Sequence, residues 1–503
     1  MRNELVLVRT YIEENLRKTA VTGMPYVDLH DNKKAIVAKQ NNVVFGRRGS
    51  GKSTLLSEVE KEKRKTVVVN LEDYKNISFP NIIVKIVEVI FTRILEDAKR
   101  KSTLHLIRKS KLNTKLKKIV RDLKDLYEED DKYETKTTEV LRDEAKINAA
   151  LKTKVASLST ELGSSLSESR ENTSSRNRQF EKFDRMKRNL VSYKEVLKEA
   201  LPFVYDSDTL YLLLDDFYFI DTDNQPYLAD VLHVLTKGTG AFLKLASIKH
   251  RSRLYIKDHS TYQGIEIGHD ALEIDLDYSL EDIDELVQFY TQLLTEIFRI
   301  SSTSLQIDSI FGGQGFRQLC IASGGVARDF LMLLSKCINE MIVDPDTKIG
   351  KEIVNAQAAS YMVHKLHSLS EDVKRDSERL EVYLNFIKEE VLTRKRTNCF
   401  LISKDDLEKY PNEKAAIRDL FDMRFIHLID KNTSCAPSDG KQYEAYILDV
   451  GLYDFTRLRN FSQIEPNNKD DRSRKDAMRA SPKIDLEKLR GVKASAILES
   501  SHS

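Results

Sequence analysis

Apolar and polar positions along this chain follow two periods, and the switches between them divide it into segments. The first residues, MRNELVLVRTYIEENLRK, space their apolar positions as a helix does; a turn falls at Gly23 to Pro25, and a second short helix leads into the apolar run Asn42 to Phe45. A glycine-rich stretch follows at once and opens a helix over Ser53 to Lys63. Thr66 to Asn70 is β-branched and bounded by charge, the pattern of a buried parallel strand. Beyond Pro80, the residues Ile82, Ile83, Ile86, Val87, Ile90 and Ile94 form a helical stripe. Strand pattern resumes in Thr209 to Leu214 and Ala241 to Ile248. Short apolar runs alternating with amphipathic helices predict an α/β fold with a parallel sheet covered on both faces.

Between residues 98 and 193 the pattern changes to charged and Ser-rich sequence without proline. There Ile147, Leu151, Val155, Leu158 and Leu162 recur at the three-and-four spacing of a helix seam, which predicts an inserted helical or coiled-coil arm. Its Ser/Arg/Asn-rich tip, Gly163 to Asn177, is expected to be flexible. Helical spacing dominates from 279 to 370. Then come a helix (Leu380, Tyr383, Leu384, Ile387, Val391), a strand (Cys399 to Ile402) and a helix (Asp405 to Tyr410). After Pro411, a helix carrying Ile417, Leu420 and Phe421 precedes two β-rich runs, Phe425 to Ile429 and Tyr443 to Leu448. Helix, strand, helix, helix, hairpin is the order of a winged helix, assigned to 371–460. The charged tail, 461–503, is expected to be disordered. A nucleotide-binding core of 1–97 and 194–278, the arm of 98–193 and a helical lid of 279–370 complete the division.

Length supports that division, since 503 residues exceed what one compact core holds. The formal charge of +2 gives no global reason for a nucleic-acid or membrane partner. Cys320, Cys337, Cys399 and Cys435 lie far apart, without CxxC or nearby His, against zinc and against a disulfide framework. No apolar run approaches a membrane span, so the expectation is a soluble, cytoplasmic protein.

Gly46-Arg47-Arg48-Gly49-Ser50-Gly51-Lys52-Ser53 fits G-x-x-x-x-G-K-[ST] and lies between a predicted strand and a predicted helix. Glycines let backbone N–H groups turn inward around phosphates, and a helix N-terminus favours an anion. Gly46, Gly49, Ser50, Gly51 and Thr54 thus form a phosphate cradle, with Lys52 reaching the β and γ phosphates of ATP and Ser53 ligating Mg2+. A second acidic site must stand on a neighbouring strand, and Tyr211-Leu212-Leu213-Leu214-Asp215-Asp216 supplies it. Asp215 is the magnesium-side residue and Asp216 the candidate for polarising water, unless the pair is merely the solvated end of a strand. Further on, Lys244 to Ile248 ends in Lys249-His250-Arg251-Ser252-Arg253. Ligands gather at the C-terminal edge of a parallel sheet. There Lys249 or Ser247 could sense the γ-phosphate and Arg251 or Arg253 could reach a neighbouring subunit's nucleotide; solvated charges are the alternative. Ala322-Ser323-Gly324-Gly325-Val326-Ala327-Arg328-Asp329 opens a helix with Arg328 on its first turn.

Together GRRGSGKST, YLLLDDF, the basic strand end after LKLASI, SGGVARDF and a terminal winged helix resemble the initiator clade of AAA+ ATPases, of origin-recognition-complex type, and its bacterial relatives. The resemblance implies an ATP-driven switch, possessed of a lid arginine at Arg328, that assembles with itself or a partner and contacts DNA. A role in genome defence or mobile-element biology would suit such an architecture. Two departures stand out: the acidic pair is Asp-Asp where many relatives carry Glu second, and the arm interrupts the core.

Local charge leaves the DNA question open. The recognition-helix candidate, Asn412 to Arg424, sets Lys414, Arg418 and Arg424 against Glu413, Asp419 and Asp422, a sum of zero and a poor phosphate clamp. From Ala98 to Lys124 there are eleven Lys/Arg, including Lys115, Lys117, Lys118 and Arg121, against Asp122 alone. Such a cluster would draw a phosphate backbone. Nine acids in Asp125 to Glu144 could equally pair with it. The alternative function is therefore a nucleotide-gated scaffold that binds an effector protein through arm and winged helix without touching DNA. With no HExxH and no Ser/His/Asp set that periodicity brings together, nothing supports a nuclease or other hydrolase in this chain.

Overall fold

The computed structural model describes residues 1–16, 23–62, 65–101, 110–129, 162–258, 261–372, 377–453, 460–466 and 472–491. Helices α1 (Arg2–Asn15) and α2 (Asn32–Val37) precede strand β1 (Asn42–Phe45). Then follow α3 (Lys52–Lys61), β2 (Thr66–Asn70), α4 (Asn81–Arg100), α5 (110–129), α6 (Leu162–Tyr205), β3 (Leu210–Asp215), α7 (Gln225–Thr236) and β4 (Ala241–Ser247). A hairpin of β5 (Tyr255–Asp258) and β6 (Thr261–Gly264) leads to β7 (Leu272–Asp275).

Five of these strands form one parallel sheet in the order β2-β3-β4-β1-β7, the mixed α/β layout of a P-loop NTPase. β1 and β3 are buried along their whole length and β4 nearly so, which is why they read as continuous apolar runs. The outer strands bury one side only: Val67 and Val69 are inside while Val68 is exposed, and of β7 only Ile274 is buried. Thr66 to Asn70 is therefore an edge strand where full burial was expected; β-branching alone does not separate edge from centre. β7 and the hairpin escape the sequence pattern because so few of their side chains face a core. Register places Asn70 beside Asp215 and Phe45 beside Ser247, so the residues that follow β1, β2, β3 and β4 emerge along one edge.

One face of the sheet is covered by α2 and α3, with Ile36, Leu55, Leu56 and Val59 packed on Val44, Tyr211, Leu213 and Ala246. The other is covered by α4 and α7, and α5 and α6 belong to the same core through Leu112, Leu116, Ile119, Leu123, Phe183, Met186, Leu190 and Leu197. Where it is described, the segment expected to stand off as an arm is thus rooted in the core of the five-stranded sheet. The seam positions Ile147, Leu151, Val155 and Leu158 lie outside the described residues; Leu162 begins α6, and the expected flexible tip, Gly163 to Asn177, follows that helix's path. Within β4 the buried Lys244 Nζ donates to the carbonyls of Ala38 and Gln40 at 2.9 and 2.7 Å and to Asn42 Oδ1 at 2.7 Å. Three acceptors match the three donors of an ammonium and tie the approach of β1 to its neighbour.

Helices α8 (Ile283–Ile300), α9 (Ile307–Ile310), α10 (Gly315–Ala322), α11 (Ala327–Val343) and α12 (Lys351–Asp372) build a second core. Leu5, Val8 and Ile12 place α1 in that unit rather than in the sheet unit where its position in the chain suggested. Then come α13 (Ser377–Lys388), β8 (Cys399–Ser403), α14 (Lys404–Lys409), α15 (Pro411–Asp422), β9 (Ile426–Thr433) and β10 (Tyr443–Leu448), with the strands in an antiparallel sheet of order β8-β10-β9. The tail expected to be disordered is partly packed: it forms α16 (Arg472–Arg479), buries Met478, Ile484, Leu486 and Leu489, and runs beside β8, where Leu401 N donates to Pro482 O at 2.8 Å and Ile484 N to Leu401 O at 2.9 Å. Sparse apolar anchors within a charged stretch carry too little periodicity to be read as an element. All four cysteines are free and buried. No helix among the described residues is long and apolar enough to cross a membrane.

Candidate functional site

The turn between β1 and α3 is made by glycines. Gly49 and Gly51 have φ of +91° and +101°, and α3 begins at Lys52 directly after Gly51, so the unpaired N–H groups of its first turn face the loop. At Gly49 a side chain has no room, because a Cβ there would lie 2.6 Å from Arg328 Cβ. Lys52 folds back over the loop, its Nζ donating to Gly46 O at 2.6 Å and to Arg47 O at 3.0 Å. Burial pushes its pKa down, opposed by the carboxylates of Asp277, Asp215 and Asp216.

Parallel pairing brings β3 alongside. Ser53 Oγ donates to Asp215 Oδ2 at 2.5 Å across 162 residues of sequence, and Asp216 N donates to Asp215 Oδ1 at 2.9 Å. Both carboxylates are buried, at 8% and 7% exposure, and Asp216 sits in the left-handed region with φ +58°. A hydroxyl and a carboxylate facing each other at the head of a phosphate loop suit magnesium, which takes few protein ligands and fills its octahedron with phosphate oxygens and water. Among the described residues no cluster of three or more His, Cys, Asp or Glu forms an all-protein metal cage.

Of these groups, Lys52, Ser53 and Asp216 open onto a cavity of about 400 Å³. Its polar end is walled by Arg48, Ser50, Lys52, Ser53, Thr54, Asp216 and Arg328. Arg328 reaches it from the first turn of α11, whose backbone N at Arg328 donates to Gly49 O at 3.2 Å; burial, with Arg424 and Arg48 close by, lowers the guanidinium's pKa. The other end is apolar and aromatic, formed by Met24, Tyr26, Val27, Tyr278, Phe289 and Leu293, with the rings of Tyr278 and Phe289 stacked at 4.2 Å. A cationic cradle continuous with an aromatic slot fits a nucleoside triphosphate, phosphates at one end and base at the other. The slot residues come from three separated segments and carry no motif. Glu72, two residues past β2, also lines the cavity, as Asp216 does. Its signal was position alone: it follows a strand that pairs with the acidic one.

The candidates after β4 are placed differently. Ser247 is buried behind the loop, its carbonyl accepting from Gly46 N at 3.3 Å and its hydroxyl 2.5 Å from Ser252 Oγ. Lys249 turns outward to Glu273 and Asp275. Arg251 is engaged within the chain, with Nη2 3.2 Å from Asp419 and Nε 3.9 Å from Asp422, both on α15. Arg253 is half-exposed and 3.4 Å from Asp223. On α5, Lys115 pairs with Glu199 of α6 at 2.5 Å, while Lys117, Lys118, Arg121 and Lys124 face solvent. Sequence reasoning missed Arg47. It occupies a variable position of the loop, yet it is 1% exposed, with its backbone N 2.8 Å and its Nε 3.3 Å from Asp277 Oδ1 and its Nη2 donating to Tyr278 O at 2.8 Å.

No family model matches the chain, and no curated protein matches it. Among solved structures it is similar to Drosophila ORC bound to DNA, at 13% identity and a TM-score of 0.34 over 89% of this chain and 90% of that one. It is also similar to a Walker-type ATPase of Pyrococcus abyssi, at 12% identity and a TM-score of 0.42 over 85% of this chain and 95% of that one.

Proposed function

We propose that the chain is an ATP-dependent molecular switch of AAA+ initiator type, in which α8–α12 act as the lid and residues 371–460 as a winged helix. The observation that carries this reading is the convergence of Lys52, Ser53, Asp216 and Arg328 on a single cavity that also offers an aromatic slot, with Asp215 accepting a hydrogen bond from Ser53. In it the loop N–H groups and Lys52 bind the phosphates, Ser53 and Asp215 would hold a magnesium ion that would neutralise charge on the phosphates, and Arg328 reads the terminal phosphate. Asp216 orients the attacking water; its short side chain suits slow turnover and a long-lived ATP state.

Contact with DNA is assigned to the outer face of α5 rather than to α15. Lys117, Lys118 and Lys124 are exposed there and make no ion pair among the described residues, whereas α15 turns Asp419 and Asp422 toward Arg251. For assembly with a neighbouring subunit, Arg253 is the better placed arginine, because its partner Asp223 is 87% exposed and easily exchanged.

Nucleotide titration and turnover test this function directly. Lys52→Ala should abolish ATP binding, and Asp216→Asn should retain bound ATP while slowing hydrolysis. Unchanged affinity in the first variant overturns the site. Normal turnover in the second moves the water-orienting role to Glu72.

A further inference from the structure

Arg328 and its neighbour Asp329 sit about 100° apart on the first turn of α11 and face different environments. Arg328 lines the nucleotide cavity. Asp329 is fully buried at 0% exposure, with one oxygen 2.7 Å from Arg424 Nη1 and accepting from Tyr361 OH at 3.2 Å, and the other 3.0 Å from Lys365 Nζ. Lys365 passes the contact on to Asp449 at 3.1 Å, and Asp449 holds His427 Nε2 at 3.0 Å. The charge chain therefore runs from the start of α11 through α12 into the C-terminal sheet.

The same stretch of chain also touches the other side of the phosphate loop. The ring of Phe421 lies 4.8 Å from the guanidinium of Arg47, whose carbonyl accepts from Lys52 Nζ. A Cβ on Gly324, just before α11, would lie 2.0 Å from the imidazole of His427, so the glycine is what admits that ring. Residues 421–427 thus bracket the loop, gripping Arg47 at one end and the foundation of Arg328 at the other. A carboxylate buried as deeply as Asp329 tolerates poorly the loss of a cationic partner, so withdrawal of this segment and displacement of the α11 turn are linked.

We propose that Asp329 and Arg424 are positioning residues for the nucleotide site: the docked C-terminal unit, through Arg424 on Asp329, holds Arg328 in place over the phosphate loop. ATP and ADP then differ in affinity only while that unit is docked, and undocking it erases the preference. This rests on the assignment of the cavity to ATP.

Arg424 has φ +67°, a backbone conformation that glycine adopts without strain, so Arg424→Gly removes the guanidinium at least cost to folding. Titration with ATP and ADP, alongside thermal melts, is made on wild type, Arg328→Ala, Arg424→Gly, Arg424→Lys and the Arg328→Ala/Arg424→Gly double variant. Arg328→Ala should lower the ATP-over-ADP preference about 10- to 100-fold, as loss of a charged hydrogen bond does, Arg424→Gly should lower it comparably, and the double variant no further. Arg424→Lys should recover most of it. A merely structural ion pair would lower the melting temperature and leave the preference intact. That result, or additive effects in the double variant, overturns the proposal. Should Arg424→Gly not fold, Arg424→Gln gives the same comparison. Wild type that binds no ATP refutes the assignment of the cavity itself, whereas wild-type binding with additive variants refutes only the positioning role.

Discussion

Gly49→Ala is the sharpest probe of how the loop and α11 fit together. An ideal Cβ at this position meets Arg328 Cβ at 2.6 Å and Val326 Cγ1 at 3.2 Å, and the backbone must keep φ +91°. Positive φ costs an L-residue about 1–2 kcal/mol, and overpacking a fitted contact about 1–3 kcal/mol more. Gly51→Ala provides the control, since its φ is +101° but nothing lies within 4 Å of its Cβ. In the nucleotide-free protein the backbone cost is common to both variants and the collision belongs to Gly49 alone. Without nucleotide, Gly49→Ala should therefore be less stable than Gly51→Ala by about 1–3 kcal/mol, the overpacking range. Thermal melts of the two nucleotide-free variants measure the difference. Equal melting temperatures would refute the close seating of α11 on the loop.

Two further tests address the docked segment and the basic helix. Burial raises the Asp422 carboxyl to about 7, against the pull of Arg251, so the stability it contributes is full below its unfolded value near 3.8 and is lost as pH rises through about 7. Asp422→Asn should thus gain on wild type progressively between about pH 4 and pH 7, by up to about 4 kcal/mol, and hold a constant margin above; a margin independent of pH contradicts the burial argument. Gel-shift titration against salt tests α5: reversing Lys117 and Lys118 to Glu should reduce the slope of log K on log salt by about 2, at roughly 0.9 per phosphate contact. Absence of DNA binding at low salt would leave the effector-binding scaffold.

What could be read from the chain divides along physical lines. The loop and the acidic strand end were legible because each is a contiguous signature whose residue types follow from phosphate and magnesium chemistry, whereas Arg328 was singled out only by the resemblance of its segment to a family's lid motif. Their convergence follows from parallel register, with Asn70 beside Asp215 and Phe45 beside Ser247. The aromatic slot was not legible, since Tyr26, Tyr278 and Phe289 meet only through packing between units. Arg47 was hidden because a position free to vary in the motif is fixed here by Asp277 and Phe421, on distant elements. The rooting of α5 in the core was obscured by its charge, which dominates composition although Leu112, Leu116, Ile119 and Leu123 form an apolar face.

The strand-like passage at Pro482 to Ile484 has a practical consequence for shortening the protein. β8 is the outer member of its sheet, and an outer strand with bare amide groups invites pairing with other molecules. Ending the chain at 460, where the tail's composition suggests a natural stop, would strip that guard and uncover the apolar seats of Ile484, Leu486 and Leu489. A soluble shortened form should keep residues through 491.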